Sequence, residues 1–230
     1  MATCVLAAAC TAARLVPWRN EPIGNEVNLA FTLERNLIDL TTVTLDGRPG
    51  RFILGTAAPR TIVDSGFGAS ARPVLQISEK ETLRVSSAPL PLGGVADAII
   101  GADAWSNRAI TIDYRSGFVS FQKEGITPDL MTLYEFSAEP TINLTVDGRP
   151  VSAIVDTTSP DTLVLPGADA RGTARVAIAG VDFGAVDVQY ANVARPRIGN
   201  RLLSHFLVSI DYGRRVVGLW RDPRIPITAP

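Results

Sequence analysis

The chain carries one pattern twice. Leu45-Asp46-Gly47-Arg48-Pro49 recurs 101 residues later as Val146-Asp147-Gly148-Arg149-Pro150. At the same offset, Phe52-Ile53-Leu54-Gly55-Thr56-Ala57-Ala58-Pro59 falls on Ala153-Ile154-Val155-Asp156-Thr157-Thr158-Ser159-Pro160, and Thr61-Ile62-Val63 falls on Thr162-Leu163-Val164. A second block recurs at an offset of 98: Ile100-Gly101 with Ile198-Gly199, and Ile110-Thr111-Ile112-Asp113-Tyr114 with Val208-Ser209-Ile210-Asp211-Tyr212. The three-residue difference is a small deletion between blocks. A self-similar chain of this kind uses one structural unit more than once. The expected organisation of the 230 residues is two homologous lobes, 27–123 and 138–221, joined by a linker over 124–137. Residues 1–26 precede them as a leader and tether, and 222–230 follow as a tail.

Each unit reads as mostly β. Val43 and Leu45 alternate with polar neighbours before the turn Asp46-Gly47 and the apolar run Phe52-Ile53-Leu54; Ile142, Leu144, Val146, Asp147-Gly148 and Ile154-Val155 repeat the scheme. Asp-Gly between such runs signals a hairpin, because both central residues of its turn need positive φ. Each unit ends in an alternating strand, Ile110/Ile112/Tyr114 or Val208/Ile210/Tyr212, turned back by Ser116-Gly117 or Gly213-Arg214. Short helices are expected at 102–107 and 201–206, behind Gly101 and Gly199.

Composition narrows the chemistry. Lys and Arg total 22 against 23 Asp and Glu, a net charge of −1. That leaves no basic excess for binding nucleic acid through its phosphates. One histidine, His205, and two cysteines, Cys4 and Cys10, do not supply a zinc site or a disulfide framework. A serine or cysteine hydrolase would have to work through His205 alone. Nothing in the motifs asks for a cofactor or a metal.

The repeated loop is the informative motif. In both units a buried strand delivers the chain into a small, turn-prone segment and then into another apolar strand. Two such loops facing each other across a two-fold, each with an aspartate, would share a proton between like charges and activate a water. The order of segments in this chain resembles that of the retropepsin-like aspartic proteases: strand, Asp-Thr-Gly-Ala/Ser loop, strand, apolar-apolar-Gly, short helix and Ile-Asp-Tyr hairpin. More closely it resembles bacterial proteins with two such units in one chain. The resemblance covers about residues 27–221 and implies an all-β fold of two tandem retropepsin-like lobes forming a pseudo-two-fold single-chain unit.

Carried over by position, Asp156-Thr157-Thr158 stands at the catalytic loop of the second lobe, and Gly55-Thr56-Ala57 at that of the first. Gly101 and Gly199 close the apolar-apolar-Gly segments that pack behind these loops, and the hydroxyls of Thr56 and Thr157 are implied to bond across the lobes. Gly55 replaces one aspartate of the dyad, while Ala57 and Thr158 replace its glycines. Asp156 is then the catalytic candidate but lacks its mate. Ser78-Glu79-Lys80-Glu81 and 176–181 are the candidates for flap hairpins.

The expected function is that of a pseudoprotease, a monomer or the subunit of a complex, binding an extended peptide or partner protein in the inter-lobe cleft. An active aspartic endopeptidase is the alternative, pairing Asp156 with Asp64 of Ile62-Val63-Asp64-Ser65-Gly66 or with Asp156 of a second protomer. A structural adaptor subunit of an envelope complex is the third reading. Asp64-Ser65-Gly66 otherwise reads as a turn, His205 as a solvated or capping residue, Asp113-Tyr114 and Asp211-Tyr212 as hairpin residues, and Trp105 and Trp220 as packing groups. Leu6-Ala7-Ala8-Ala9-Cys10 resembles the lipobox of bacterial lipoproteins. It implies acylation of Cys10, export, and a periplasmic or membrane-anchored location. No run approaches the ~18 apolar residues of a spanning helix.

Overall fold

The computed structural model describes residues 27–122 and 130–227; Cys10 and the expected leader lie outside the described residues. The fold is all-β, with one short helix and one 3-10 turn among the described residues. The first repeat supplies β1 (Val27–Glu34), β2 (Leu37–Leu40), β3 (Thr44–Leu45), β4 (Phe52–Leu54), β5 (Thr61–Asp64) and β6 (Val74–Gln76). It continues with β7 (Thr82–Arg84), β8 (Ser87–Leu90), β9 (Ala98–Ile100), the 3-10 turn Ala102–Ala104, β10 (Ala109–Asp113) and β11 (Phe118–Gln122). The second supplies β12 (Thr132–Glu135), β13 (Thr141–Val146), β14 (Arg149–Val155), β15 (Leu163–Pro166) and β16 (Ala170–Ile178). After these come β17 (Val181–Ala191), β18 (Arg197–Ile198), α1 (Asn200–Leu203), β19 (Leu207–Asp211) and β20 (Val216–Trp220).

Two expectations need correction. The helices are shorter than 102–107 and 201–206, since each occupies a single turn before the chain re-enters a strand. Residues 132–135, assigned to the linker, form β12, which pairs antiparallel with β20. Its Leu133 is 43% exposed, so the strand is held by ladder hydrogen bonds more than by burial, and its alternation is weak.

The centre of the large sheet runs β12-β20-β19-β10-β11-β1, so each repeat contributes three strands in mirrored order. At the middle, β10 and β19 pair antiparallel with Ile110 opposite Ile210, Thr111 opposite Ser209 and Ile112 opposite Val208. Exchanging every residue for its equivalent 98 positions away leaves this register unchanged, which places a local two-fold between Thr111 and Ser209. Their hydroxyls meet at 2.7 Å. Ile110, Ile112, Val208 and Ile210 around them are fully buried, each worth about 1.5–3 kcal/mol in burial. The main buried cluster draws on both repeats, from Leu29 to Leu219, so the two share a core.

Beyond the centre the repeats diverge. The strands β13-β14-β18-β15-β17-β16 close into a six-stranded barrel. The first repeat stays open: β2-β4-β9-β5-β8 extends the large sheet while β3-β6-β7 forms a separate one. The long hairpin β16–β17, turned at Ala179-Gly180 with both φ positive, closes the barrel by pairing β16 with β13. The equivalent hairpin of the first repeat, β6–β7, pairs only Val74–Gln76 with Thr82–Arg84, and together with β3 it forms the separate sheet.

The Asp-Gly turns do form, with φ of 51° and 73° at Asp46-Gly47 and 49° and 75° at Asp147-Gly148. Their aspartates also accept the N–H groups of Val74 and Arg175, each 28 residues onward. Hydrogen bonds from Val74 and Ser70 hold the Asp46 carboxyl below the usual carboxylate range.

Candidate functional site

The strands β4 and β14 each run parallel to β9 and β18, and each leads directly into its loop. The loops are built alike. Gly55 and Asp156 donate their N–H to Ile100 and Ile198, and Ala58 and Ser159 close turns onto the carbonyls of Gly55 and Asp156. Gly101 and Gly199 press against the loop backbones: a Cβ would lie 2.5 Å from the Arg60 oxygen in one and 2.2 Å from the Asp161 oxygen in the other. Only a residue without a side chain fits there, so glycine is set by space and not by φ.

The loops meet through their second residues. Thr56 and Thr157 each donate N–H to the other's Oγ1 at 3.1 Å. Their hydroxyls then donate at 2.6 Å to the carbonyls of Val155 and Leu54. Both threonines are buried, so the ring of four bonds is shielded from water. Thr158 of one loop also reaches Gly55 of the other; its Cγ2 would lie 3.3 Å from a Cβ at position 55.

The first loop position breaks the symmetry. At Gly55 an added Cβ would lie 2.4 Å from Cγ2 of Ile99, which occupies the space of the missing side chain. Ile99 corresponds, 98 residues on, to Arg197. There the arginine donates from Nη1 to Oδ2 of Asp156 at 2.7 Å. The other carboxylate oxygen, Oδ1, accepts the N–H of Thr158 at 3.0 Å and its hydroxyl at 2.5 Å. Asp156 is 1% exposed, while the arginine side chain is 42% exposed. Thus Asp156 has donors on both oxygens, and no carboxylate stands at the equivalent place. Arg197 is the residue that the motif misses, because the repeat of Ile99-Ile100-Gly101 holds in this segment only over Ile198-Gly199. An arginine where the first repeat has Ile99 was the visible signal.

The tyrosines reach across the repeats, which corrects their reading as turn residues only. Tyr212 donates to the carbonyl of Thr56 at 2.8 Å. Tyr114 donates to Oδ1 of Asn200 at 2.7 Å, and Nδ2 of Asn200 donates to the carbonyl of Thr157 at 2.7 Å. Asn200 inserts an amide where the first repeat has Ala102, so one side is bridged and the other direct. Desolvation raises both phenols above the usual tyrosine range. Asp113 and Asp211 do cap turns, accepting N–H groups of Ser116 and Arg214.

Other candidates lie elsewhere. Asp64, at the far end of β5, accepts the N–H groups of Leu92 and Gly66, which hold its carboxyl below the usual range. It serves that turn, and the loop opposite Asp156 is Gly55-Thr56-Ala57. His205 is not freely solvated: its ring packs on Phe183 at 5.3 Å, and desolvation, with Arg221 nearby, lowers its pKa. Both flap candidates are hairpin tips, with Glu81 ion-paired to Arg108 and Ala179 bonded through its backbone to Tyr134. Trp105 is buried against Phe121. Among the described residues no group of three or more His, Cys, Asp or Glu could hold a metal, and no helix is long and apolar enough to cross a membrane. No protein-family model matches the chain, and no curated protein matches it as a relative.

Proposed function

We propose that this chain is a retropepsin-like pseudoprotease: two tandem lobes about a local two-fold, with a cleft that holds an extended peptide or partner segment without cutting it. The observation that carries this reading is the pair of substitutions at one loop position, Gly55 filled by Ile99 and Asp156 bound by Arg197. Aspartic-protease chemistry needs two carboxyls sharing one proton and a water between them. Here one carboxyl is absent, and the other is engaged by donors on both oxygens. The loop-to-loop threonine bonds and the glycine packing, by contrast, are complete. Architecture without the dyad favours binding over turnover. An extended peptide in such a cleft gains affinity from main-chain hydrogen bonds and selectivity from alternate side chains.

The test is incubation of the purified chain with a diverse peptide library, read by mass spectrometry for both cleavage and retention. Retained peptides without new termini support the reading; cleavage abolished by Asp156→Asn sinks it. On the Leu6–Cys10 motif alone we place the protein at a bacterial envelope, tested by mass spectrometry for an acylated Cys10 in the natural protein.

A further inference from the structure

Thr61 and Thr162 are equivalent at the 101-residue offset, yet their partners differ. Thr61 donates its N–H and hydroxyl to Oδ1 of Asp103 at 2.8 and 2.9 Å, and Oδ2 of Asp103 accepts the N–H of Ser86 at 2.6 Å. The 98-residue offset puts Arg201, which is exposed, where Asp103 should stand. Thr162 is 2% exposed, and its hydroxyl is buried with no hydrogen-bond partner among the described residues. A buried unpaired hydroxyl costs about 1–3 kcal/mol, so its persistence needs a reason.

Thr162 belongs to the wall of a groove of about 440 Å³ beside the second loop. Arg35, Arg171 and Arg201 line it together with Asp161 and Asp187. None of these five forms an ion pair among the described residues. Arg35 comes from the β1–β2 turn of the first repeat, so both repeats build the groove.

We infer that this groove is a carboxylate-binding subsite, in which the ligand's carboxylate takes the place that Asp103 fills internally in the first repeat. The hydroxyl of Thr162 supplies the inner donor. Guanidinium groups, which bind carboxylates through paired N–H bonds, supply the outer ones. Three cations against two anions favour a carboxylate. Asp161 and Asp187 are left to accept N–H groups of the same ligand, a combination that a peptide offers. The peptide form of the ligand rests on the peptide-binding reading above; the carboxylate chemistry does not.

The experiment titrates the full chain with glutarate and with two pools of capped decapeptides that differ only by Glu or Gln at one position. Amide NMR signals of Thr162 and Arg201 report site occupancy. Saturable shifts with glutarate are expected, and Arg201→Asp, which restores the internal carboxylate, should abolish them while keeping or raising Tm. The Glu pool should bind at least about tenfold more tightly than the Gln pool, the effect of one charge-assisted bond. Thr162→Val and Arg201→Gln should bring that ratio toward one. Equal binding of both pools, with no glutarate shifts, overturns the subsite and leaves the peptide reading standing. Glutarate binding without either pool keeps the subsite and removes the peptide reading. No binding of any probe removes both.

Discussion

Arg197 meets the buried carboxylate of Asp156 at 2.7 Å from the very position that Ile99 holds against Gly55 in the first repeat. Each repeat thus solves the same local packing problem in its own way. One pairs a missing side chain with a bulky apolar neighbour; the other pairs a carboxylate with a guanidinium.

These solutions should be transferable as pairs and not as single residues. Arg197→Ile leaves Asp156 buried and short of a donor. Breaking a buried pair from one side costs about 3–5 kcal/mol, and the solvation of this half-exposed arginine brings the expected loss to about 2–3 kcal/mol. The double variant Asp156→Gly with Arg197→Ile reproduces the first repeat and should recover most of that loss in urea unfolding. A double variant as unstable as the sum of its singles would refute the pairing.

Gly55→Asp should not create a peptidase. Its Cβ collides with Ile99, an overpacking that costs about 1–3 kcal/mol, and Asp156 remains tied to Arg197 and Thr158. Adding Ile99→Ala should restore the melting temperature without bringing turnover of a fluorogenic peptide. Measurable turnover by either variant would show that the donors on Asp156 do not block the chemistry.

The threonine ring should behave as a coupled unit. Thr56→Val or Thr157→Val each removes a hydroxyl that accepts one N–H and donates to one carbonyl, leaving buried groups unpaired. Each should cost about 2–4 kcal/mol. A double-mutant cycle should show a coupling energy above about 0.5 kcal/mol, because each side chain bonds the other's backbone. Strict additivity contradicts the reciprocal geometry.

His205 is the single histidine of this chain, so the titration of its imidazole is directly readable by NMR. Desolvation first, then Arg221, lowers its pKa from 6.5, and the midpoint should lie below that value. The unfolded chain then binds the proton more readily than the folded one. Stability contributed by neutral His205 is complete above pH ~6.5 and is lost as pH falls toward the folded pKa. His205→Gln should flatten that part of the stability profile. A midpoint above 6.5 would overturn the packed, desolvated placement.

Much of this was legible in the residues. The Asp-Gly turns and the alternating terminal strands depend on short-range rules of φ and side-chain alternation, which local sequence encodes. The packing of Gly101 and Gly199 behind the loops was implied by the family resemblance, since the backbones that crowd them, at Arg60 and Asp161, are distant in sequence. The meeting of Thr56 with Thr157 was implied by the family resemblance. What escaped were Arg197, Asn200 and the unpartnered Thr162, whose roles lie in departures from the repeat rather than in its matches.

The repeat at 101 and 98 residues, read by itself, determines that one β unit is used twice and that its first loop lacks an aspartate. Tertiary structure alone decided the rest: that the second repeat closes as a barrel while the first stays open, and that Thr111 and Ser209 face each other across the local axis. It also decided that Asp156, 41 residues before Arg197, is held by it. The reason is physical. Turn and strand preferences act over a few neighbours, whereas the partner of a buried charge depends on which distant strands pair, here β14 alongside β18.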